Sequence, residues 1–300
     1  MKRILVLVLA GLFVVSISAM AAAADSKVIG DAHSVDTKYP MPFNVNLEKW
    51  FAEHPVEQGK MIRMDPVFQT PRVIVLAATN KGGLIDLHYH TAADEIVVAI
   101  KGQCEQYIDG KWVVMKAGDI HYNPKGVIHG TRLVGTEPFY ALSIFTAPPP
   151  GGNDRVFIKD VSTAKPGDTV VDWSLLDTQY KKGALFNMDD WYAKNPPEKG
   201  KTMRSDPVMG TMRGQLMIAQ SPALGVHYHG SADEIIYCYK GAGEMYINGE
   251  WGKINPGEIH FCTRGQVHGI RPAGNEFKIF AVFAPPQAGG SDRIFKEDLK

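Results

Sequence analysis

The sequence has few cysteines and no excess of charge of either sign. Three cysteines, Cys104, Cys238 and Cys262, stand in a chain of 300 residues, too few for the disulfide framework of a small secreted domain. Lysine and arginine total 32, as do aspartate and glutamate. Because no basic run breaks this balance, we expect neither nucleic-acid binding nor attachment to an anionic membrane surface. An apolar content of 45% with 21% charged residues indicates a globular protein.

A hydrophobic run lies close to the first residue. Lys2 and Arg3 precede apolar residues 4–15, and alanines up to position 24 follow. This pattern predicts a signal peptide at 1–24, then an arm at 25–34, and an exported protein in the periplasm or outside the cell. The alternative is an uncleaved membrane anchor; after signal removal we expect no stable membrane anchoring. In an exported protein Cys238 and Cys262 can pair, which leaves Cys104 over.

The histidines repeat at a fixed spacing. The subtractions 227 − 88, 229 − 90, 268 − 129 and 260 − 121 all give 139, and so does 234 − 95 for a glutamate. Eight of the ten histidines therefore pair at one offset. A period of this length indicates a duplicated domain and not a short solenoid repeat.

The two copies extend beyond the histidines. The motif Arg-x-Asp-Pro-Val occurs at 63–67 and 204–208, and Asp-Arg-x-Phe occurs at 154–157 and 292–295, each time after a proline-rich segment. We expect this tail to fold back on its domain as an edge strand. The predicted boundaries are a first domain at 35–158, a polar linker at 159–175 and a second domain at 176–300.

The local patterns predict little helix and many short strands. Asn46 and Asn187 can each cap a short helix, over 47–52 and 188–193. Apolar and β-branched runs then alternate with glycine turns, including Asp109-Gly110 and its counterpart Asn248-Gly249, which are hairpin signals. The sequence therefore predicts an all-β fold, an antiparallel sandwich or barrel, with a short helix opening each domain.

The repeated histidines have the spacing of metal ligands. His88 and His90 are two residues apart, so both rings leave the same face of an extended strand. With Glu95 and His129 they supply three imidazoles and one carboxylate, enough to hold a divalent metal and leave positions open. The second copy offers the same set: His227, His229, Glu234 and His268. The alternative for any single histidine is a buried core residue that binds nothing.

These motifs resemble those of the cupin superfamily, and their tandem arrangement resembles its bicupins. The first cupin motif, a glycine, H-x-H, a glutamate and a glycine, and the second, a glycine and then P-x-G-x-x-H, match these residues: Gly83, His88, His90, Glu95, Gly102, Gly118, Pro124, Gly126 and His129. The second domain keeps every ligand type but has Thr263 in place of the proline. The resemblance implies two tandem cupin-type β-barrels (double-stranded β-helices or jelly rolls). Each would hold one divalent transition metal: Fe, Mn, Ni, Cu or Zn.

Two further histidines are candidates for catalysis. In cupins the strand before the last metal ligand lines the cavity, so the resemblance makes His121 and His260 candidate acid–base groups or hydrogen-bond partners of ligands. The alternative is that both face solvent. Asn123 shares the face of His121 and Cys262 that of His260, while parity predicts that Asp86 also faces the first cavity. We therefore expect two chemically different cavities.

The resemblance supports a metalloenzyme acting on a small organic molecule. Dioxygenation, decarboxylation, lyase and isomerase chemistry all stay open, because one barrel fold hosts many reactions. Oxalate decarboxylases carry an arginine just before H-x-H, where this sequence has Leu87 and Val226, so dioxygenase chemistry is favoured. The alternative function is a non-catalytic bicupin that binds a small molecule or structural metals. A homo-oligomer is possible, since cupins associate through edge strands.

Overall fold

The structure is a computed structural model, and it describes residues 43–148, 154–158, 183–287 and 292–296. The predicted signal peptide, arm and linker lie outside the described residues. Within those residues no helix is long and apolar enough to cross a membrane. The model is mostly strand with two short helices in the described part of the chain, so the predicted all-β class is confirmed.

The first domain contains eleven strands and one helix among the described residues: β1 (Phe43–Asn46), α1 (Leu47–Glu53), β2 (Ile62–Gln69), β3 (Val73–Asn80), β4 (Leu84–His90), β5 (Asp94–Lys101), β6 (Gln103–Ile108), β7 (Lys111–Lys116), β8 (Asp119–Asn123), β9 (His129–Leu133), β10 (Phe139–Thr146) and β11 (Arg155–Phe157). The second domain follows the same order: β12 (Ala184–Asn187), α2 (Met188–Lys194), β13 (Arg204–Gly210), β14 (Gln215–Gln220), β15 (Leu224–His229), β16 (Asp233–Ile247), β17 (Glu250–Ile254), β18 (Glu258–Cys262), β19 (His268–Ala284) and β20 (Arg293–Phe295).

The local signals form the predicted structures. The side chain of Asn46 accepts a hydrogen bond from the Lys49 backbone N–H at 3.0 Å, and Asn187 does the same for Asp190 at 3.1 Å, so both helices begin at the predicted caps. Asp109 and its counterpart Asn248 have positive φ angles and each precedes a glycine that also does. These are the backbone conformations that a two-residue hairpin turn needs.

Each domain is an antiparallel barrel made of two layers. In the first domain the layers are separate sheets with the orders β12-β8-β5-β10-β3-β2 and β11-β4-β9-β6-β7. In the second domain the long strands β16 and β19 run through both layers and join them into one nine-stranded sheet. The tail strands β11 and β20 pair with β4 and β15, as expected for the repeated Asp-Arg-x-Phe motif.

The two domains exchange their first strands. The strand β1 pairs with β18 of the second domain, with Asn44 opposite His260. The strand β12 pairs with β8 of the first domain, with Leu185 opposite His121. The wall of each barrel is therefore completed by the other domain, which the sequence pattern did not predict.

The largest apolar core lies between the domains. It combines the outward-facing residues of the six-stranded sheet with those of the matching layer in the second domain. Phe68 of the first domain stacks on Phe261 of the second, with ring centroids 4.6 Å apart. Full burial of one large apolar side chain stabilises the folded state by about 1.5–3 kcal/mol. The many apolar side chains of this layer therefore hold the two domains together.

Two buried ion pairs reinforce this layer. Asp94 receives hydrogen bonds from Arg213 and Thr211 of the second domain, and Asp233 receives them from Arg72 and Thr70 of the first. Both carboxylates are 0% exposed. Each pair therefore crosses the domain interface at the residue that immediately precedes a predicted metal-ligand glutamate.

The cysteines are unpaired. Cys104, Cys238 and Cys262 are all free and buried, so the possible disulfide between Cys238 and Cys262 is not formed. The strand register explains why, because Cys262 lies opposite Glu234, four residues from Cys238. Four residues along a strand span about 13 Å, well beyond the roughly 7 Å between α-carbons that a disulfide can bridge.

Candidate metal centres

The structure brings each predicted ligand set to a single point. In the first domain β4, β5 and β9 carry the ligands, and one candidate donor atom from each of the four lies within 4.8 Å of the others. The second domain places its set in the same way on β15, β16 and β19. All eight residues are buried, so none of them is the solvated surface group that a chance acidic cluster would contain.

A register shift in β4 decides which side chains face the site. The pairing with β9 is interrupted between Ile85 and His88, and β15 has the same irregularity before His227. Such a bulge reverses the alternation of inward and outward residues. Asp86 is therefore exposed, against the prediction from parity, while Ile85 lines the cavity instead.

Every ligand histidine is oriented through its Nδ1 atom. Nδ1 of His88 lies 2.7 Å from the carbonyl oxygen of Asp86, and Nδ1 of His129 lies 2.8 Å from that of Val127. The second domain repeats these contacts with the carbonyls of residues 225 and 266, at 2.6 and 3.0 Å. Because a carbonyl can only accept, each Nδ1 carries a hydrogen, which leaves Nε2 as the atom that can offer a lone pair to a metal.

The tail of each domain supplies a carboxylate to the remaining histidine. Asp154 Oδ1 lies 2.6 Å from Nδ1 of His90, and Asp292 Oδ1 lies 2.6 Å from Nδ1 of His229. Asp154 also accepts hydrogen bonds from the backbone N–H groups of Ala92 and Ala93. The sequence prediction assigned no role to these aspartates, although the repeated Asp-Arg-x-Phe motif was the available signal.

The donor atoms fit a metal ion. Four of the Nε2 atoms, those of His88, His90, His227 and His229, are buried and have no hydrogen-bond partner among the residues that the structure describes. Leaving a buried polar atom unpaired costs about 1–3 kcal/mol. A cation bound at the point where they converge would satisfy all of them, and three imidazoles with one carboxylate suit a divalent transition metal.

The electrostatics favour the protonation states that a metal needs at His88 and Glu95, but favour a proton on His90. Burial, and then the neighbouring His129, lower the pKa of His88 to about 3, which keeps the ring neutral. Burial opposes ionisation of Glu95, but the hydrogen bond from His129 and the nearby His90 imidazole hold the pKa of its carboxyl well below its usual range. Burial also acts against a proton on His90, but the hydrogen bond with Asp154 and the nearby negative charge of Glu95 outweigh it and raise the pKa to about 9. A cation that binds His90 at neutral pH therefore displaces a proton.

The two candidate catalytic histidines lie inside the barrels. His121 and His260 are both 0% exposed, which excludes the alternative that they face solvent. Nδ1 of His121 lies 3.3 Å from Gln106 Oε1, whereas Nδ1 of His260 lies 2.8 Å from Asn44 Oδ1 on the exchanged strand. In the described part of the chain their Nε2 atoms have no hydrogen-bond partner, and neither residue belongs to a ligand set.

Two segments of the chain match the family model of the cupin domain, at residues 75–145 and 216–283. Each segment holds one complete ligand set, and each coincides with one barrel. The chain is a bicupin.

Relatives of this bicupin include dioxygenases. It is 24% identical over 248 residues to quercetin 2,3-dioxygenase of Bacillus subtilis (strain 168), covering 71% of this chain and 73% of that protein. A segment of 84 residues is 31% identical to the tetracenomycin polyketide synthase protein TcmJ of Streptomyces glaucescens, covering 26% of this chain and 56% of that protein. The salicylate 1,2-dioxygenase of Pseudaminobacter salicylatoxidans has a similar fold, with a TM-score of 0.64, 12% identity, and coverage of 85% and 86% of the two chains.

A cavity in the first barrel of the bicupin reaches the ligand set. Three of the ligands, His88, Glu95 and His129, form part of its wall. The rest of the wall includes small or polar side chains and one arginine: Thr79, Thr131, Ala141, Ser143 and Arg155. Arg155 comes from the tail strand and was not predicted as a site residue. Arg155 therefore brings a permanently charged side chain to the wall of this cavity.

Proposed function

We propose that this bicupin is an exported metalloenzyme that binds one divalent transition metal in each domain and acts on a small organic molecule by dioxygenase chemistry. The observation that carries the proposal is the convergence of unpaired, buried Nε2 atoms beside a cavity in the first barrel. The relation to two dioxygenases supports the reaction class. Export rests on the sequence pattern of residues 1–24 alone, and a mature protein beginning at Asp25 would support it.

The protein residues would bind and orient the substrate next to the metal. A bound transition metal supplies a Lewis acid and a redox centre with positions open to exogenous ligands. Arg155 offers a partner for an anionic oxygen of the substrate, such as a carboxylate or phenolate. Apolar wall residues, including Ile62 and Phe139, exclude water and suit an aromatic ring.

His121 would act as a proton acceptor near the first metal centre. Burial is the main cause that lowers its pKa to about 3, so the ring stays neutral at physiological pH. The carbonyl oxygen of Gln106 faces Nδ1 at 3.3 Å and also accepts a hydrogen bond from the Thr131 hydroxyl at 3.1 Å. These two contacts orient the imidazole relative to the cavity wall and leave Nε2 as the atom that could accept a proton. The sequence predicts the same role for His260 in the second barrel.

The test of this proposal is oxygen uptake by metal-loaded protein. Quercetin, salicylate and gentisate are suitable first substrates because related dioxygenases act on or bind them. We expect uptake that requires added metal and disappears in the His88→Ala/His90→Ala variant, while His121→Gln retains its metal and loses turnover. A protein that binds metal but neither binds these compounds nor consumes oxygen would contradict the proposal.

A non-catalytic bicupin with structural metals is the second candidate. It is favoured by the second barrel, whose interior forms a packed apolar cluster that includes Met245, Phe277 and Ile279. For this candidate, metal removal would lower the melting temperature, because any ligand that binds only the folded state stabilises it. No substrate would be turned over, and replacing His121 or His260 would change neither property.

A further inference from the structure

Because the two ligand sets have the same composition and the same geometry, any difference between the two centres must arise from the side chains around them. Strand register makes these surroundings directly comparable. Ser143 pairs with Val97 in the first barrel, and Ala281 pairs with Ile236 in the second, so these are equivalent positions. The pairs Gln106–Thr131 and Met245–Ile270 are equivalent in the same way.

The first barrel is polar and open beside its ligands. Gln106 is fully buried, and its amide oxygen accepts hydrogen bonds from Thr131 and His121. Thr131 is partly exposed and, with Ser143 and Ala141, forms the cavity wall next to His88 and His129. A ligand that enters this cavity meets hydroxyl groups and small side chains.

The second barrel is filled with aliphatic side chains at the same positions. Ile270 replaces Thr131, Ile279 replaces Ala141 and Met245 replaces Gln106. The first two are 2% and 3% exposed, and all three belong to one packed cluster with Phe277. Each isoleucine is larger than the residue that it replaces, and a close-packed interior leaves little space for a further molecule.

The hydrogen bonds around the second centre also differ. Met245 and Ile270 cannot form the contacts that Gln106 and Thr131 make in the first barrel. His260 is held instead by Asn44 of the exchanged strand. The thiol of Cys262, at the position of Asn123, lies 2.9 Å from Nδ1 of His268. These contacts hold the histidines through partners that differ from those in the first barrel.

We infer that the two metal centres have different functions: the first is open to exogenous ligands and takes the substrate, while the second is closed and holds its metal as a structural element. This inference rests on the proposed metal loading of both domains. It restricts proton transfer to His121 and assigns His260 to the structural centre, whereas the sequence made both histidines candidate acid–base groups in two chemically different cavities.

The test uses Co²⁺ as a spectroscopic probe and azide as the exogenous ligand. The variant His227→Ala/His229→Ala retains the first site, and the variant His88→Ala/His90→Ala retains the second. We expect azide to change the visible spectrum of Co²⁺ in the first variant and to leave it unchanged in the second. An equal change in both, or a change only in the protein that retains the second site, would overturn the inference.

Two reciprocal double variants test the inference without removing any metal ligand. Filling the first cavity with Thr131→Ile and Ala141→Ile should weaken azide binding at least tenfold while the Co²⁺ content stays at two ions per chain. The reciprocal change, Ile270→Thr with Ile279→Ala, should allow azide to reach the second ion. Unchanged azide affinity in the filled variant would contradict the inference.

The outcomes separate the inference from the proposed function. If the native protein takes up no Co²⁺, the proposed metalloenzyme fails and the inference fails with it. If it takes up two ions and azide reaches both, only the division of roles fails. Oxygen uptake that is lost in Thr131→Ile/Ala141→Ile while the metal content stays at two ions per chain would support both.

Discussion

At the scale of single residues, the orientation of each ligand histidine is fixed by the group that contacts its Nδ1 atom. A histidine can present either nitrogen to a metal, and the partner of the other nitrogen decides which one does. In this protein carbonyl oxygens and the carboxylates of Asp154 and Asp292 take that role. Both aspartates come from short tail strands distant in sequence from the histidines that they orient.

Replacing Asp154 by Asn should weaken metal binding at the first site alone. The amide is close in shape but carries no charge, and loss of such a supporting carboxylate typically lowers metal affinity about 10- to 100-fold. Titration of the variant with a competing chelator measures this affinity. Asp292→Asn is the matched control and should weaken only the second site. Unchanged affinity at the first site in Asp154→Asn would show that the tail does not position His90.

His121 should make the protein sensitive to acid. Burial lowers its pKa to about 3 in the folded state, whereas an unfolded histidine titrates near 6.5. The unfolded state therefore binds the proton first, so this stability is present above pH 6.5 and is lost as the pH falls toward 3.

Between pH 7 and pH 5 the native protein should lose about 2 kcal/mol more of its unfolding free energy than His121→Gln does. Urea unfolding at both pH values measures this difference. An equal loss in the two proteins would mean that His121 is not buried as a neutral ring.

At the scale of secondary-structure elements, tight turns hold the ligand strands in register. Gly102, at the end of β5, has a φ of +78°, and a β-carbon there would lie 2.3 Å from the carbonyl oxygen of Pro138. The equivalent Gly241 has a φ of +74° and would approach the carbonyl of Glu276 more closely still. Glycine is required at these positions both by the backbone angle and by the close approach of another strand.

Gly102→Ala should destabilise the protein by about 2–5 kcal/mol. The left-handed backbone costs a side chain about 1–2 kcal/mol, and a forced overlap adds about 1–3 kcal/mol. Gly59 is a matched control because its φ is also +78° but no atom lies within 4 Å of the added carbon. Gly59→Ala should cost only the backbone contribution. Similar melting temperatures for the two variants would contradict the predicted contact with Pro138.

At the scale of the whole molecule, the two domains are one structural unit. They exchange their first strands and share the largest apolar core. Asp94 and Asp233 also form buried ion pairs across the interface between them. We therefore expect a single cooperative unfolding transition, since neither barrel has a complete wall without the other.

Arg213→Met should destabilise the protein by about 3–5 kcal/mol, because it leaves the buried charge of Asp94 without its ionic partner. Calorimetry measures the loss and shows whether the transition remains single. Lys49→Ala removes an exposed ion pair with Glu53 and should cost no more than about 0.5 kcal/mol. Two separate transitions in the native protein would contradict the shared core.

The sequence predicted what is local or repeated and missed what joins distant segments. The turn residues and the two-residue spacing of the histidines predicted the strands and the shared face of the ligands, because both depend on short-range geometry. The fixed offset of the histidines then predicted that the second domain repeats the first. The strand exchange, and with it the contact of Asn44 with His260, depends on how two domains pack. Asp86 was assigned to the wrong face because a bulge breaks the alternation of β4, and no residue type in that strand marks the bulge.

The central claim is that each set of three histidines and one glutamate binds one metal ion. Anomalous diffraction from crystals of the metal-loaded protein tests it most directly. We predict two peaks per chain, each at about 2.0–2.2 Å from three histidine Nε2 atoms and one glutamate oxygen. Peaks at other residues, or metal-loaded crystals with no peak at either set, would contradict the account.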